Sequence, residues 1–505
     1  MLTAGYQLEK EAFRLLSTIC ETENPMKLIK ATLEKLDKIK EKPLFISENF
    51  LEETANETLL VDNEVKQFSI PYLPEISKTT GKPTKIFRSQ AKNIETAIEV
   101  VADPTNDVCS TGSMDEYLKY FQDRFKRTRR LLRQRMDCRN AASIKDAFRM
   151  PPRSRIKIHC MVAEKRETEN GVFLEIEDME TKATALIPRN ASNQLLEKTK
   201  MLLPDQVVCL GLLKGRKSLL IVKELFFPDI PQNPPHKTKE AVNVALISDL
   251  HVGSREFMRE EFNRFLLWIN GKYGDARLRE VASLVKYVII AGDIVDGVGV
   301  YPNQVKELVV QDIFGQYKLA SKFVEQIPDY IELIIVPGNH DASRRALPQP
   351  AISKDYLEPL YDVRNMLSLG NPATISIHGT RFLIYHGRSL DDVLAIAPNM
   401  NFHSPERAMR LLLKGRHLAP TYGQRTPIAP EKRDFLVIEE APDIFHAGHI
   451  HVMKYGFYRR TLMVNSGAWQ RQTSFQRNLG LEPTPGIVPV VNLQTLSVYP
   501  IDFNS

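Results

Sequence analysis

Short runs of Val, Ile, Leu, Phe and Ala recur through the second half of the chain, and each run ends in glycine or polar residues. This pattern is typical of buried strands that enter loops. Stretches with helical periodicity separate some of these runs, at residues 257–273 and 305–327. Strands that alternate with helices predict parallel pairing with right-handed crossovers. From Thr374 onwards strand-like runs dominate, so we expect a second sheet packed on the first.

A separate set of five strand-like runs lies upstream, at residues 155–162, 171–176, 183–188, 206–210 and 218–222, with a helix at 193–201. Five strands with a helix between the third and fourth is the order of an OB-fold barrel. Such barrels bind single strands through surface aromatic residues over a basic groove. The aromatic residues here, Phe173, Phe226 and Phe227, all sit in apolar runs. We therefore favour a barrel that contacts protein over one that binds DNA by itself.

The first part of the chain divides into three predicted segments. Helical spacing over residues 1–55 predicts a small module, either a modest bundle or a partner-docking unit, and the proline-rich residues 56–113 read as a flexible linker. Residues 114–150 predict a basic amphipathic helix, with eight Arg or Lys and one acid between Arg124 and Arg139. That face either contacts phosphate or is solvated while its apolar stripe packs on the next domain. The barrel then occupies 151–232 and a catalytic domain 233–505.

Composition narrows the class of protein. The 505 residues are 43% hydrophobic, which is enough for cores in about two to four domains. The five cysteines contain no Cys-x-x-Cys, so neither a disulfide framework nor a cysteine zinc site is expected. The start of the chain mixes acidic and basic residues, and no apolar run is long enough to cross a membrane. We expect a cytoplasmic protein without a membrane partner.

Residues with side chains suited to metal binding or catalysis lie where the predicted strands end. The clusters are Asp249-x-His251, Gly292-Asp293, Gly338-Asn339-His340-Asp341, His386 and Gly448-His449-x-His451. Strand carboxyl ends are where ligands bind in open α/β sheets, so we expect one shared site. Two divalent cations need a shared carboxylate, for which Asp293 is suited, and further imidazole and oxygen donors. The predicted donors are Asp249, His251 and His451 for one ion, and Asn339, His386 and His449 for the other.

His340 is left outside both ligand sets. A histidine beside the ligands that does not coordinate can place a proton near a leaving oxygen, and the neighbouring Asp341 is expected to fix its tautomer. Mixed oxygen and imidazole donors accept Mn²⁺, Mg²⁺, Fe²⁺, Zn²⁺ or Ni²⁺, so the donor set leaves the metal open.

These motifs resemble the calcineurin-like metallophosphoesterase superfamily. Within it, three further segments resemble the small subunits of archaeal family D DNA polymerases: Lys414-Gly-Arg-His-Leu-Ala-Pro-Thr-Tyr-Gly423, Pro442-Asp-Ile-Phe-His446 and Asn465-Ser-Gly-Ala-Trp-Gln470. The likeness covers about the last 350 residues of the chain. It implies two facing sheets with helices outside, and a proofreading 3′–5′ exonuclease that uses Mn²⁺. It also implies a large catalytic polymerase subunit as partner, DNA as substrate, contact with a sliding clamp through the complex, and a place at the nucleoid.

Four residues are candidates for substrate contacts. Arg388, Arg416 and His417 are expected near substrate phosphates. Trp469 stacks on a terminal base or, equally well, packs in the core. His446 is a candidate to support the ligands from behind. Two other functions stay open: a polymerase scaffold subunit without catalysis, and a stand-alone phosphoesterase with another substrate.

Overall fold

The computed structural model describes residues 87–505, except Asn399, Leu479 and Ser505, together with Gln7–Leu8 and Phe45–Ile46. The chain divides into two units, Met1–Tyr72 and Leu73–Ser505. In the first unit, strands β1 (Gln7–Leu8) and β2 (Phe45–Ile46) pair in parallel. Otherwise the predicted helical module and the linker up to residue 86 lie outside the described residues.

The elements of the second unit follow one another closely. The strands are β3 (Ile98–Ala102), β4 (Arg155–Thr168), β5 (Gly171–Glu177), β6 (Lys182–Pro188), β7 (Val207–Lys214), β8 (Leu220–Phe226), β9 (Asn243–Ile247), β10 (Val285–Ala291), β11 (Glu332–Val336), β12 (Leu367–Ser368), β13 (Ala373–Ile377), β14 (Thr380–Tyr385), β15 (Ile444–Ala447), β16 (Lys454–Tyr458), β17 (Thr461–Asn465), β18 (Ile487–Asn492) and β19 (Val498–Asp502). The helices are α1 (Met114–Gln134), α2 (Ile144–Arg149), α3 (Asn193–Lys200), α4 (Arg259–Ile269), α5 (Ala276–Ser283), α6 (Ile313–Val324), α7 (Lys354–Tyr361), α8 (Leu390–Ile396), α9 (Pro405–Gly415) and α10 (Ser474–Asn478).

Two six-stranded sheets form the domain that the sequence predicts to be catalytic, which is called the two-sheet domain below. The first has the order β12-β11-β10-β9-β18-β19, and the second has the order β16-β17-β15-β14-β13-β3. Pairing is parallel from β12 to β9 and between β14, β15 and β17, as the alternation of strands and helices predicts. The later, strand-rich part of the sequence supplies most of the second sheet, which confirms the expected second sheet.

Alternate side chains of the central strands face different apolar layers, which explains why these strands are apolar throughout. In β9, Val244 and Leu246 pack between the two sheets, with Ile375 and Phe382 of the second sheet. The intervening Ala245 and Ile247 pack against helices outside the first sheet. A third layer joins the outer face of the second sheet to α8 and α9. The result is two facing sheets between helices.

The barrel is closed, with the strand order β4-β5-β6-β8-β7. All five predicted strands form, and α3 lies between the third and fourth strands as expected. Its interior is apolar, filled by residues such as Ile158, Leu174 and Val208. On its outer side, Met161 and Cys209 pack against Phe125 and Leu132 of α1. The apolar stripe of α1 therefore packs on the barrel.

Two expectations need correction. The predicted linker is wrong over residues 87–113, because Ile98–Ala102 pairs with β13 as an edge strand and the main-chain N–H groups of Cys109 and Ser110 donate to Glu431. The predicted helix over 305–327 begins only at Ile313, where Asp312 caps it by accepting from the Gly315 N–H. A short 3₁₀ turn, Gln304–Glu307, replaces its first part.

The basic helix α1 also differs from expectation. It begins at Met114 behind a capping box formed by Ser113 and Glu116, but it ends at Gln134. The predicted extent to residue 150 is therefore wrong, since α2 is a separate helix over Ile144–Arg149. Arg124 and Arg127 turn inwards, where Arg124 bonds Asp434 and Arg127 bonds Glu439. Part of the predicted basic face is therefore neutralised by carboxylates of the two-sheet domain and is not available to a phosphate.

Two composition-based expectations can be compared with the described residues. Cys109, Cys138, Cys160 and Cys209 are all free thiols. In the part of the chain that the structure describes, none of the helices combines the length and the apolar character needed to cross a membrane.

Candidate metal centre

The predicted ligands follow the carboxyl ends of strands from both sheets. The loops after β9, β10 and β11 carry Asp249 and His251, Asp293, and Asn339 with His340. The loops after β14 and β15 carry His386, His449 and His451. Parallel pairing places these strand ends on the same side of each sheet. The structure therefore brings together residues that are far apart in the sequence, such as His251 and His451, which are 200 positions apart.

One group consists of Asp249, His251 and His451, whose ligand atoms lie within 4.8 Å of one another. The two Nε2 atoms are 3.1 Å apart, and Asp249 Oδ1 lies 3.4 Å from His451 Nε2. Asp249 Oδ1 is buried and accepts no hydrogen bond. Buried polar atoms normally have a partner, so a cation held between these three side chains would supply the one that is missing.

A second group consists of Asp293, His386 and His449, again within 4.8 Å of one another. His386 Nε2 lies 3.2 Å from Asp293 Oδ2 and 3.1 Å from Asn339 Oδ1. Asp293 Oδ2 is also 3.8 Å from His251 Nε2 in the first group. Asp293 is thus the carboxylate between the two groups, and the donors fit two divalent cations that share it.

Glycine is required where the loops cross. A Cβ on Gly338 would lie 2.1 Å from Asp293 Oδ1, and one on Gly448 would lie 2.5 Å from Asp249 Oδ2. Any side chain at either position would displace a carboxylate of the cluster. The glycines of the sequence motifs are therefore explained by close approach of the main chain to the ligands.

The main chain at several ligands adopts an unusual conformation. Asp249, His251, Asp293, His449 and His451 all have φ between 52° and 70°. Only a few per cent of non-glycine residues adopt this left-handed region. Strained residues of this kind cluster at functional sites, where the surrounding structure holds them.

Hydrogen bonds on the far side of the imidazoles fix their orientation. His251 Nδ1 donates to Asp296 Oδ1 at 2.9 Å, and His386 Nδ1 donates to the Ala291 carbonyl at 2.8 Å. Each bond leaves Nε2 directed into the cluster. Asp296 is not among the residues predicted from the sequence, although its position three residues after Asp293, in the same strand-end loop, is the signal that would have found it.

His340 lies beside the first group with its ring edge-on to His251, at 4.7 Å between centroids. Its Nδ1 donates to the Asp296 carbonyl at 2.7 Å. The expected role of Asp341 in fixing this tautomer is therefore wrong. Instead, the Asp341 carboxylate accepts from the main-chain N–H groups of Asp293 at 2.8 Å and Gly338 at 2.9 Å, so it holds the loops that carry the ligands.

A chain of polar groups connected by hydrogen bonds begins at the Asp249 carboxylate. Asp249 Oδ2 accepts from the Ser248 hydroxyl, whose oxygen is 2.7 Å from that of Ser466. Ser466 Oγ in turn lies 3.0 Å from His446 Nε2. His446 therefore supports the cluster through two serines, which agrees with the role expected for it.

The electrostatics favour positive charge at the centre. Burial opposes a charge on His251, but its hydrogen bond to Asp296 and the negative charges of Asp296, Asp293 and Asp249 together outweigh that effect. They raise the pKa of the imidazole to about 9. Burial likewise opposes a charge on His386, and the negative charge of Asp293 raises the pKa of His386 to about 9. Burial, reinforced by Asp293, raises the pKa of Asp341 to about 6. The buried carboxylates thus attract cations, whether protons or metal ions.

Three of the four candidate substrate residues point away from the site. Arg416 is buried and donates to the carbonyls of Ile438 and Glu439. His417 is buried too, with Nε2 donating to Asp434 at 2.8 Å and Nδ1 accepting from the Ala419 N–H. Neither side chain is available to a phosphate.

Trp469 belongs to the core, the second of the two alternatives. Its indole is 2% exposed and packs against Phe262, Phe265 and Phe503. Stacking on a terminal base is therefore wrong for this side chain. Arg388 remains half-buried, two residues after His386, and stays a candidate for substrate contact.

The fold and the cluster define a class: a protein of two facing sheets whose strand ends carry Asp, His and Asn side chains, most of them buried, that are suited to divalent cations. Residues 244–454 match the family of B subunits of DNA polymerases alpha and epsilon. The DNA polymerase II small subunit of Archaeoglobus fulgidus is 39% identical over 439 residues, which cover 86% of this chain and 87% of that protein. The chain belongs to the family of archaeal DNA polymerase II small subunits, which confirms the resemblance found in the sequence.

Other relatives in this family are longer than the present chain. The DNA polymerase II small subunit of Pyrococcus furiosus is 41% identical over 396 residues, or 77% of this chain, and the match covers 64% of that protein. The corresponding protein of Methanocaldococcus jannaschii is 39% identical over 406 residues, covering 80% of this chain and 68% of that protein. The chain thus spans just under two thirds of the Pyrococcus furiosus relative.

Solved structures match parts of the chain at low similarity. A novel archaeal phosphodiesterase aligns with 52% of this chain and 99% of its own, at 14% identity and a TM-score of 0.26. Vps29 from Entamoeba histolytica, complexed with Zn²⁺, aligns with 52% of this chain and 100% of its own, at 15% identity and a TM-score of 0.24.

Proposed function

We propose that this chain is the proofreading 3′–5′ exonuclease subunit of a two-subunit DNA polymerase, built on a calcineurin-like phosphoesterase domain. It would hydrolyse phosphodiester bonds at the 3′ end of single-stranded or mismatched DNA. The observation that carries the proposal is the pair of ligand groups sharing Asp293, with Asp249 Oδ1 buried and without a donor. A cation held among these side chains would give that oxygen the partner that a buried polar atom normally has.

Asp249, His251 and His451 would hold one cation, Asn339, His386 and His449 the other, and Asp293 both. Two bound divalent cations supply charge neutralisation at the scissile phosphate and acidify water to give a nucleophile near neutral pH. The resemblance to the polymerase small subunits favours Mn²⁺, and the donor set also accepts Mg²⁺, Fe²⁺, Zn²⁺ or Ni²⁺.

His340 is the residue that we expect to transfer a proton to the leaving 3′ oxygen. Since Nδ1 donates to the Asp296 carbonyl, Nε2 is the nitrogen left to face a substrate oxygen. The side chain is only half-buried, as is that of Asn339, so this side of the cluster is open to a DNA end. Burial lowers the pKa of His340, so in the absence of substrate the imidazole is neutral and Nε2 carries no proton. The negative charge of a bound phosphate would favour the imidazolium, which would then protonate the leaving 3′ oxygen from Nε2.

The proposed partners follow from the family. A large catalytic polymerase subunit would bind this chain, DNA would be the shared substrate, and a sliding clamp would be reached through the complex. We take the closed barrel to be an OB-fold that contacts protein, because its aromatic residues are few. We expect the assembly to work in the cytoplasm at the nucleoid.

A non-catalytic scaffold is the second candidate, because the matched family is named for the B subunits of polymerases. The two functions are compatible, since an exonuclease subunit also holds its polymerase. They differ in their need for the ligands, which a scaffold does not require. A stand-alone phosphoesterase would not explain the relationship to polymerase subunits.

The test is digestion of a 5′-labelled single strand and of a mismatched primer end by the full chain with Mn²⁺, alone and with the large subunit. Laddering from the 3′ end that is lost in Asp293→Ala and His340→Ala is the expected result. The exposed His403 provides a matched control, and His403→Ala should behave as wild type. Bound Mn²⁺ without digestion, even with the large subunit present, would favour the scaffold or another phosphoester substrate.

A further inference from the structure

Asp391 is a carboxylate beside the cluster that the proposed chemistry does not use. It lies in the first turn of α8, whose preceding residues are the His386-Gly387-Arg388-Ser389 turn. Its Oδ2 atom is 3.0 Å from Nε2 of His449, one of the proposed ligands. The His449 side chain is 16% exposed and that of Asp391 is 28% exposed, so the contact lies at the solvent-facing rim of the site.

The contact decides which nitrogen His449 can offer to a cation. A neutral imidazole has one N–H donor and one free nitrogen. Because Nε2 donates to Asp391, the nitrogen left without a proton is Nδ1. One nitrogen of His449 lies within 4.8 Å of the donor atoms of Asp293 and His386. His449 would therefore bind through Nδ1, whereas His251 and His386 use Nδ1 to donate elsewhere and turn Nε2 inwards.

Main-chain hydrogen bonds fix the backbone of His449. Only the side-chain torsions that orient its imidazole need a further restraint. Its N–H donates to Asp249 Oδ2 at 2.9 Å. The Gly448 N–H donates to the His386 carbonyl at 2.8 Å. On the other side, a Cβ on Gly387 would lie 2.9 Å from the Gly448 carbonyl oxygen and 3.4 Å from the His449 Cβ. The loop bearing Asp391 and the loop bearing His449 are thus in direct contact.

We propose that Asp391 is a positioning residue that holds the His449 imidazole with Nδ1 directed at the second cation. The inference rests on the proposed metal centre and adds to it a residue that no ligand motif contains. Partners of this kind, which donate to or accept from the far nitrogen of a ligand histidine, set ring orientation and metal affinity. Asp391 does not touch substrate or cation in this assignment.

The neighbouring Asp392 has a different task, which makes the assignment specific. Asp392 is 4% exposed, and its carboxylate accepts from the main-chain N–H groups of Arg425 at 3.0 Å and Thr426 at 3.1 Å. Of this consecutive pair, Asp392 therefore holds the 425–426 turn and Asp391 holds the ligand. A simple ion pair at the rim is the competing account. Burial tends to raise the pKa of Asp391, but His449, and after it Arg425 and Arg388, lower that pKa.

Mn²⁺ titration of the full-length chain by calorimetry tests the assignment. Wild type should bind two ions. Asp391→Ala should weaken one of them about 10–100-fold, the usual effect of removing such a partner. Asp391→Asn should bind both ions nearly as wild type does, because its amide oxygen can still accept from Nε2–H. Asp362→Ala is the matched control, since Asp362 is an exposed aspartate at the end of α7.

Two outcomes would overturn the inference. One is Asp391→Ala binding both ions with wild-type affinity. The other is Asp391→Asn losing as much affinity as Asp391→Ala, which would show that charge and not orientation is what matters. Denaturation midpoints of each variant establish that any loss is not a loss of folding.

Failure of this inference is distinguishable from failure of the proposed function. If wild type digests DNA and Asp391→Ala keeps both ions, the exonuclease stands and the positioning role falls. If wild type binds two ions without digesting DNA and Asp391→Ala loses one, the positioning role stands and the exonuclease falls. A wild-type chain that binds no Mn²⁺ would overturn both.

Discussion

Arg124 of α1 offers a sharp test of how this protein holds its basic helix. The guanidinium is 1% exposed. Its Nε donates to Asp434 Oδ2 at 2.9 Å, its Nη1 to the Pro420 carbonyl at 2.7 Å, and its Nη2 to the Tyr120 hydroxyl at 3.2 Å. Asp434 is 0% exposed, so the pair lies out of contact with water.

Arg124→Met keeps most of the side-chain volume and removes the charge. Asp434 would still accept from the Tyr120 hydroxyl at 2.9 Å and from His417 Nε2 at 2.8 Å, but its negative charge would be buried without a cation. Breaking one half of a buried ion pair costs about 3–5 kcal/mol of stability. We expect that loss for Arg124→Met and a similar loss for Asp434→Asn. Since each variant removes the same interaction, the double variant should lose much less than the sum.

Urea denaturation followed by tryptophan fluorescence measures this effect in the two-sheet domain. Trp268 and Trp469 are the two tryptophans of the chain, and both lie in the core outside the first sheet. Arg130→Met on the same helix is the matched control, because the Arg130 side chain is 65% exposed and its pair with Glu439 should contribute less than about 1 kcal/mol. A loss below about 1 kcal/mol for Arg124→Met, or costs that simply add in the double variant, would refute the reasoning.

Three further predictions concern the site and its surroundings. His340→Ala should lower the exonuclease rate about 10²–10⁴-fold while Mn²⁺ binding by calorimetry stays unchanged, and a wild-type rate would exclude His340 as the acid. Trp469→Phe should cost about 2–4 kcal/mol in denaturation, because one ring is lost from the core and a cavity is left, and should leave KM for single-stranded DNA unchanged; a raised KM would restore a substrate role. Burial, strengthened by the charge of Arg124, lowers the pKa of His417 from 6.5 to about 4. The unfolded chain therefore binds a proton between these pH values that the folded chain does not, so stability should fall by up to about 3 kcal/mol as the pH drops from 6.5 to 4. His417→Gln should flatten that part of the profile measured in urea, and an unchanged profile would contradict the assignment.

The sequence predicts the two six-stranded sheets well because their central strands are buried on both faces. Continuous apolar runs that end in Asp, His or Asn identify both the strand and the residue at its carboxyl end. Parallel pairing then requires those residues to meet, as Asp249 and Asp293 do. The loop glycines carry the same information, since they mark where the main chain approaches the carboxylates.

Other features depend on contacts that periodicity does not report. Ile98–Ala102 is a strand because β13 offers it an edge, although the surrounding prolines and polar residues are typical of a linker. Arg124 looks like a solvent-facing cation until Asp434, 310 positions later, is placed against it. Asp391 follows a ligand motif by only a few residues, yet its partner His449 lies 58 positions further on. In each of these three cases, the structure depends on a contact with a residue that is distant in the sequence.

The central strand of the first sheet has a consequence for synthesis of the protein. β9 is flanked by β10 on one side and by β18 on the other, and Asn492 donates to Asn243, 249 positions earlier. Such distant pairing forms slowly and late. Until the ribosome has synthesised β18, one edge of β9 is unpaired. His251 likewise lacks its neighbour His451 until that residue has been synthesised. The ligand set of the proposed metal centre is therefore incomplete until His451, late in the two-sheet domain, has been synthesised.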